Sequence, residues 1–588
     1  MRFRRLNKWD TPQDSVGLVY FSQILDEMLF DFSLDTYKAS VMHTGLLCAE
    51  AIEVIKEIEQ GNVKKPNIDH VNAELCSNFE KDPVALALSP LPPTAFFPVL
   101  KNPKSSLKEM ETVLSLLAVH LSPNSYRRKN ETLLLAEITG RQSLSEIRRL
   151  ARSYVTSLVC TGFDSRCVRS YASEFFYTSK DRIEGPAAIG RFFSLFPLSD
   201  AEFNVIFSVD AIFEHLADPL SALGLAISRE IPHQIKLADH PAFENVAQNR
   251  LFAAAAKVKA KDIFSARSAA EYKLKLSATL LNLFHHKENP SWSEVCIVQA
   301  VTSGDCQQIS SPINAMHKCA DLNQPVASKR LKALLSDFSL EIASFSKFIR
   351  SAQLHSMALA SNSYENQILN LWISLESLIP SETKSEDSSN IEHVVDSLLP
   401  FLNLGYLEKL LQNFVKDLIR WDSLRVRKLL KKIEGKKLSE KLAHFMILNE
   451  YEVERASLKA SFRDCHILMD RFDFLCNLVS EPSKAVAALD AHKLRLSWQI
   501  RRIYRTRNII VHSGRTPAYT KSLIEHTHDY LDTVLTLLVR LASNPKSIHS
   551  VSQGFKYVEL KYRLYYGGLA AKGAKFDSSN IQALLFQR

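Results

Sequence analysis

Apolar residues recur at spacings of three and four along most of this 588-residue chain, and that period defines its fold class more than any other feature. The stripe Leu496, Ile500, Ile503 is one example, and a spacing of this kind places the apolar side chains on one face of an α-helix. Glycine is scarce, with 16 residues against 22 prolines, which disfavours glycine-rich architectures. The sequence therefore predicts a mainly α protein.

The helical period is interrupted in the middle of the chain. Two runs rich in β-branched and aromatic residues, 202–210 and 295–301, predict β-strands. Between them, the alanine-rich run 249–261 and the stretch after Ser265 are each predicted to be helical. We therefore expect a mixed α/β middle region.

The change of period divides the chain into expected regions. These are a helical N-terminal region at 1–175, a mixed α/β middle region at 176–327, a helical bundle at 328–545 and a tail at 546–588. The alternating segment 555–566 predicts a strand or hairpin in the tail. The proline-rich segment 82–103 predicts a loop. A second loop is predicted at 381–390, which contains no apolar residue.

Charge and cysteine usage limit the function classes. The formal net charge of +9, with a pI near 8.9, permits a nucleic-acid partner without requiring one. The nine cysteines never form a C-x-x-C pair, and the closest two are Cys160 and Cys167, so neither a zinc ribbon nor a disulfide framework is expected. No stretch approaches the roughly 20 apolar residues of a membrane span. We expect a cytoplasmic protein that does not bind membranes.

Common catalytic motifs are missing from the sequence. It contains no G-x-x-x-x-G-K-[ST], no H-E-x-x-H and no G-x-S-x-G. The pairs His285–His286 and Cys465–His466 have no further residue at metal-ligand spacing. We therefore expect no metal site and no cofactor.

The segment 493–514 has the most unusual composition. Positions 493–507 contain six basic residues and no acidic residue, with Trp498 and Tyr504 between them, which we interpret as core residues rather than base-stacking platforms. Arg507 occupies the missing place in the apolar stripe formed by Leu496, Ile500, Ile503 and Ile510. A guanidinium group in such a stripe is costly unless it is paired or faces a cleft.

The same segment carries a family resemblance. The string Arg507-Asn-Ile-Ile-Val-His512 resembles the R-x(4–6)-H motif of HEPN-domain ribonucleases, with the polar residue that this family favours after the arginine. The wider string 504–514, which ends at the expected helix-capping Gly514, is similar to the Apea-like HEPN branch. The string 371–379 resembles the first helix of that branch. Together the resemblance covers about 345–545, roughly a third of the chain.

The resemblance implies a C-terminal HEPN-type helical bundle that cleaves RNA without a metal ion. His512 would transfer a proton, because its ordinary pKa lies near the working pH. Arg507 would stabilise charge on the phosphate, and Asn508 would orient the histidine or the phosphate. Attack by the 2′-hydroxyl would restrict the substrate to RNA and leave a 2′,3′-cyclic phosphate. Glu376 and Tyr504 would support this site. Arg501, Arg502 and Arg505 would bind RNA.

The expected partners also follow from the family. The substrate would be tRNA or mRNA, and the protein would act as a toxin-like effector of bacterial anti-phage defence or abortive infection, controlled by a phage-derived trigger or an inhibitory partner. Residues five apart on a helix diverge by about 140°, so Arg507 and His512 would need a second copy of the chain. The apolar stripe would also need a second helix surface, which predicts a homodimer.

Several alternatives are open at the sequence level. Arg507 could bridge helix ends and His512 could cap the last carbonyls, which would make the bundle a non-catalytic module for RNA binding or dimerisation. Glu376 could pair with Arg507 or with another basic residue. The basic run 425–437 is more typical of a solvated helix face than of a phosphate track. A nucleotide-modifying enzyme centred on the middle region has no motif in its favour.

Overall fold

The structure is a computed structural model that describes residues 3–30, 42–231, 235, 239–247, 251–317, 321–384, 389–543 and 546–587. It is mainly helical with one antiparallel sheet in the middle of the chain, so the predicted fold class is confirmed at this level. None of the described helices combines the length and apolar character needed to cross a membrane.

Helices of the first half precede the strands of the sheet or alternate with them along the sequence. In chain order they are α1 (Val16–Met28), α2 (Thr44–Glu59), α3 (Pro66–Phe79), α4 (Pro83–Leu88), α5 (Pro93–Leu100), α6 (Leu107–His120), α7 (Pro123–Thr139), α8 (Leu144–Cys160), α9 (Ser165–Ser173), α10 (Ile189–Phe193), α11 (Ala217–Ala222), α12 (Pro241–Ala247) and α13 (Ile263–Leu281).

Helices of the second half form the bundle that carries the HEPN-like motif. They are α14 (Gln324–Asp337), α15 (Ile342–Ala360), α16 (Tyr364–Leu378), α17 (Asn390–Asn403), α18 (Tyr406–Lys431), α19 (Leu438–Ile447), α20 (Glu452–Ala460), α21 (His466–Leu478), α22 (Pro482–Ser513), α23 (Thr520–Ala542), α24 (Val551–Ala570) and α25 (Ile581–Leu585).

The middle region contains a five-stranded antiparallel sheet among the described residues. Its strands are β1 (Ala201–Val209), β2 (Leu225–Ser228), β3 (Leu251–Ala260), β4 (Trp292–Ala300) and β5 (Cys306–Ser310), in the order β2-β3-β1-β4-β5. Helix α13 covers one face, where its Ala266, Ala270 and Leu274 share a buried core with Val205 and Phe207 of β1. Both predicted strands and the helix after Ser265 are therefore confirmed.

The helix predicted at 249–261 is wrong, because residues 251–260 form β3. This strand pairs with β1 on one side and with β2 on the other, for example Ala254 with Ile206 and with Ala226. Alanine has the highest helix propensity of the common residues, but propensity is a weak determinant of structure, and strand pairing on both sides outweighs it. The burial of Ala253 and Ala255 beneath α13 adds apolar contact to the same arrangement.

Two further predictions of irregular or extended structure are wrong. The proline-rich segment 82–103 contains α4 and α5, whose first residues are prolines, and the Asp82 carboxylate accepts hydrogen bonds from the first turn of α4. The tail forms α24 rather than a hairpin. Its buried residues share one helix face: Val551, Phe555, Val558, Tyr565 and Leu569. The centre of the predicted polar loop, 385–388, lies outside the described residues.

The chain forms two compact units. One comprises the described residues within 1–3, 32–126 and 314–588, and the other those within 4–31 and 127–313. The N-terminal region expected at 1–175 is therefore divided between them. In the first unit, α3 packs against α22, so N-terminal helices belong to the same unit as the C-terminal bundle.

Candidate functional site

Helix α22 presents the whole HEPN-like motif in its last two turns. The helix begins at Pro482, where a missing N–H costs no helical hydrogen bond, and ends at Ser513. Gly514 follows in the left-handed conformation, with φ of 65°, and its N–H donates to the carbonyl of Ile510 at 3.1 Å. The predicted glycine cap is confirmed, and it ends the helix so that His512 lies in the last turn.

The apolar stripe of α22 is buried inside its own unit. Leu496, Ile500, Ile503 and Ile510 are at most 8% exposed and belong to the core cluster of the bundle. Helices α16 and α17 pack against α22. The stripe therefore does not need a second copy of the chain to cover it, and its apolar character does not favour a homodimer.

Arg507 is half-buried and contacts the next residue of the motif. Its Nη1 donates to Oδ1 of Asn508 at 3.0 Å, and Asn508 is only 7% exposed. The Nε of Arg507 is buried without a hydrogen-bond partner among the described residues. In this structure Asn508 therefore orients the arginine, whereas the sequence pointed to the histidine or a phosphate.

His512 is exposed in the last turn of α22. It lies four residues after Asn508 and thus on the same helix face, but about 7.5 Å along the axis and about 140° around it from Arg507. The carbonyls of Ile509 and Ile510 already accept hydrogen bonds from Ser513 Oγ and from the N–H of Gly514. Among the described residues His512 donates no hydrogen bond to a helix carbonyl, so its alternative capping role has no support in this structure.

Arg502 and Arg505 are buried and bind carboxylates of α2 and α3. Nη2 of Arg502 donates to Glu50 at 3.0 Å and to Glu74 at 2.7 Å, and Nη2 of Arg505 donates to Glu50 at 2.8 Å. Both arginines are at most 4% exposed. Their predicted role in RNA binding stays a prediction, and it would require the carboxylates to release them.

The electrostatics of this buried cluster favour the ion-paired state. Burial raises the pKa of the Glu50 carboxyl, but Arg502 and Arg505 outweigh this and lower it to about 2. For Glu74 burial prevails over the attraction of Arg502, and its pKa is raised. Arg502 loses hydration on burial, yet the two carboxylates raise its pKa. The cluster thus fastens α22 to α2 and α3 within two turns of Arg507.

Arg501 is paired outside the buried cluster. Its Nε and Nη2 donate to both oxygens of Glu392 at 3.0 and 2.6 Å. His70 lies 3.3 Å from the same carboxylate. The hydrogen bond from Arg501 lowers the pKa of Glu392, and burial together with Arg501 lowers the pKa of His70. Arg501 is therefore held in place, with its side chain 14% exposed.

Glu376 and Tyr504 meet through Trp372 rather than through Arg507. The indole N–H of Trp372 donates to Oε2 of Glu376 at 3.1 Å, and the Trp372 and Tyr504 rings lie 5.6 Å apart. Tyr504 packs on the bundle core, in agreement with its interpretation as a core residue. Within the described ranges Glu376 forms no ion pair with Arg507, so the expected support is indirect.

The basic run 425–437 continues from the last turns of α18 to the start of α19. All seven of its lysines and arginines are exposed, while Val426, Leu430 and Ile433 face the core. This pattern is the solvated helix face that the sequence favoured. It remains a surface with the charge that a nucleic-acid backbone requires.

No protein-family model matches the chain, and neither the curated proteins nor the solved structures contain a significant match. The functional assignment therefore depends on the motif residues and on the geometry of α22.

Proposed function

We propose that the bundle containing α22 is a HEPN-type endoribonuclease that works without a metal ion. One observation carries this proposal. The four arginines nearest to Arg507 in the sequence each form an ion pair with a carboxylate. They are Arg501, Arg502, Arg505 and Arg515. Arg507 has no carboxylate within ion-pair distance in the described parts of the chain, although it is half-buried.

An unneutralised guanidinium at a partly buried position is costly for folding. It also keeps its full charge, and its terminal fork (Nη2 with the second N–H of Nη1) can donate to an incoming anion, whereas Nε is buried and the first N–H of Nη1 binds Asn508. A phosphate diester of RNA matches that fork, and the contact between Arg507 and Asn508 fixes the orientation in which the fork is presented. We therefore assign Arg507 to the scissile phosphate.

The proposed reaction is the one that the family resemblance implies. The 2′-oxygen of a ribose attacks the adjacent phosphorus and loses its proton, and the bond from phosphorus to the 5′-oxygen of the next nucleotide breaks. The departing 5′-oxygen takes up a proton, and the other product carries a 2′,3′-cyclic phosphate. His512 serves as the proton-transfer group in the last turn of the helix, and Arg507 stabilises the negative charge on phosphorus.

The separation of Arg507 and His512 on a single helix supports a site built from two chains. In a homodimer His512 of one copy would face Arg507 of the other across the bound phosphate. The five-residue offset of the motif, and not the apolar stripe, is what favours a homodimer. Sedimentation of the purified chain at assay concentration tests it, and a monomer with full activity would contradict it.

The biological setting proposed is that of a toxin-like effector of anti-phage defence, acting on tRNA or mRNA and held inactive until a trigger arrives. The family resemblance at 371–379 and 504–514 is the support for this setting. A second candidate is a non-catalytic RNA-binding or dimerisation module. It is favoured by the distance between Arg507 and His512 within one chain.

Incubation of the full chain with tRNA and a mixed RNA pool in the presence of EDTA distinguishes these two functions. The nuclease predicts fragments that accumulate with time in EDTA. Intact RNA that is nevertheless bound in a gel-shift assay would favour the module.

The Arg507→Lys variant is expected to cleave RNA about 10²-fold more slowly than the parent chain, because an ammonium group cannot reproduce the two-pronged contact of a guanidinium. RNA binding should be largely retained, since the exposed basic run 425–437 is unchanged. Initial cleavage rates and gel-shift titrations measure the two effects separately. Arg563→Lys, at an exposed position on α24, is the matched control. If Arg507→Lys cleaved RNA at the parental rate, the assignment of Arg507 to the scissile phosphate would be wrong.

A further inference from the structure

Three potential metal ligands from two helices meet within the bundle. His355 lies on α15, and His528 and Asp532 lie four residues apart on one face of α23. The Nε2 atoms of the two histidines are 2.8 Å apart. Oδ1 of Asp532 lies 3.8 Å from Nε2 of His355 and 3.7 Å from Nε2 of His528.

These distances have the dimensions of a metal site. The point equidistant from the three ligand atoms lies about 2.0 Å from each of them, which is the length of a zinc–imidazole or zinc–carboxylate bond. A hydrogen-bonded pair of histidines does not by itself require a carboxylate at this distance from both nitrogens. A tetrahedral ion needs the two nitrogens about 3.3 Å apart. The histidine rings must therefore separate by about 0.5 Å, which rotation of the side chains supplies while the helices stay in place.

From this geometry we infer that His355, His528 and Asp532 bind one divalent transition-metal ion of the zinc class. Two imidazoles and one carboxylate favour zinc and its neighbours over magnesium and calcium, which prefer all-oxygen ligands. The exposure gradient also fits, because the side chain of His528 is 5% exposed whereas that of Asp532 is 40% exposed. An ion can therefore enter beside Asp532, and a water molecule can complete a four-coordinate shell.

Metal binding would replace the contact between the two histidines. In the metal-free protein the proton on one Nε2 is shared in the 2.8 Å hydrogen bond with the other. A bound ion needs a lone pair from both nitrogens, so the donating histidine gives up its Nε2 proton, takes one up at Nδ1 by exchange with solvent, and stays neutral. The ion would then link α15 to α23, the helix that directly follows the loop after His512. This site goes beyond the proposed nuclease, whose chemistry uses no metal.

Isothermal titration of the EDTA-dialysed, full-length chain with zinc chloride tests the inference. The parent chain should bind about one equivalent of zinc, and cobalt(II) should give the visible absorption of a four-coordinate site. Asp532→Asn keeps the side-chain shape at a half-exposed position and should bind zinc more than about tenfold more weakly. This estimate follows because loss of even a second-shell partner typically costs about 10- to 100-fold in affinity.

His355→Ala and His528→Ala test the same site from the two helices. His526→Ala, on α23 but outside the triad, should bind zinc as the parent does. Circular dichroism shows which variants are folded. If a histidine variant does not fold, the zinc affinity of Asp532→Asn is the test of the site. Absence of zinc binding by the parent chain would show a hydrogen-bonded histidine pair only and would overturn the inference. Equal affinity of the parent and Asp532→Asn would overturn it as well.

Discussion

The His512→Ala variant is expected to lose RNA cleavage by about 10²- to 10⁴-fold, the range that a positioned acid–base group contributes. Its fold should be unchanged, because His512 is exposed and the carbonyls near it are already capped by Ser513 and Gly514. The initial rate on the most sensitive RNA of the pool, measured in EDTA, gives the size of the effect. Thermal unfolding of the same preparation should give the parental midpoint.

His286→Ala is the matched control for this experiment. His286 is also exposed, but it lies in the other compact unit and outside the motif. It should cleave at the parental rate. A His512→Ala variant that cleaves as fast as this control would show that another residue transfers the proton.

Replacing Glu50 by alanine is expected to lower the free energy of unfolding by about 3–5 kcal/mol, the cost of breaking a buried ion pair. Glu50 is 4% exposed and accepts hydrogen bonds from both Arg502 and Arg505. Its removal would leave two buried guanidinium groups with Glu74 as the nearby acid. Urea unfolding followed by circular dichroism measures the loss.

Glu53→Ala is the control on the same helix. Glu53 pairs with Arg515 at 3.2 Å, but their side chains are 35% and 55% exposed, so its loss should cost no more than about 1 kcal/mol. Similar destabilisation by Glu50→Ala and Glu53→Ala would contradict the structural role assigned to the buried cluster.

The contribution of Glu50 should also depend on pH in a defined direction. Its pKa is lowered from 4.5 to about 2 in the folded chain, so the folded state binds this proton less readily than the unfolded state. The stabilisation is therefore complete above pH 4.5 and disappears as the pH falls towards 2. The pKa of Glu74 is raised, which acts in the opposite sense. The difference in stability between the parent and Glu50→Gln should consequently shrink on acidification through that interval.

Local periodicity predicted the helices of the bundle well. The apolar stripe at 496–510 lies on α22 (Pro482–Ser513), and the string 371–379 lies in α16 (Tyr364–Leu378) except for its last residue. Their apolar stripes and caps are encoded within a few residues of each other, which is why the sequence alone reveals them. Strand β3 could not be recognised in this way, because its partners β1 and β2 lie elsewhere in the chain and alanine has no strong strand preference.

The site was predictable only where it depends on adjacent residues. The motif and the Gly514 cap lie within eight residues of each other, whereas Glu50 and Glu74 are 452 and 428 residues from Arg502. No local pattern pairs residues at that distance. The basic residues of 493–507 were therefore expected to bind RNA, although two of them, Arg502 and Arg505, are neutralised by buried carboxylates.

The triad of His355, His528 and Asp532 illustrates the same limit. A histidine and an aspartate four residues apart on a predicted helix were a signal in the sequence, at His528 and Asp532. The third ligand, His355, lies 173 residues before His528 and could not be associated with them without the structure.

The chemistry of the RNA ends tests the proposed reaction most directly. The full chain is incubated in EDTA with an RNA whose cleavage position has been mapped, and with the same RNA carrying one 2′-deoxyribose on the 5′ side of the scissile phosphate. Attack by the 2′-oxygen predicts fragments that end in a 2′,3′-cyclic phosphate from the first substrate and no cleavage at that position in the second. Cleavage of the deoxy-substituted RNA at the same position, or fragments with 3′-hydroxyl ends, would contradict a reaction in which the 2′-oxygen attacks the phosphate held by Arg507.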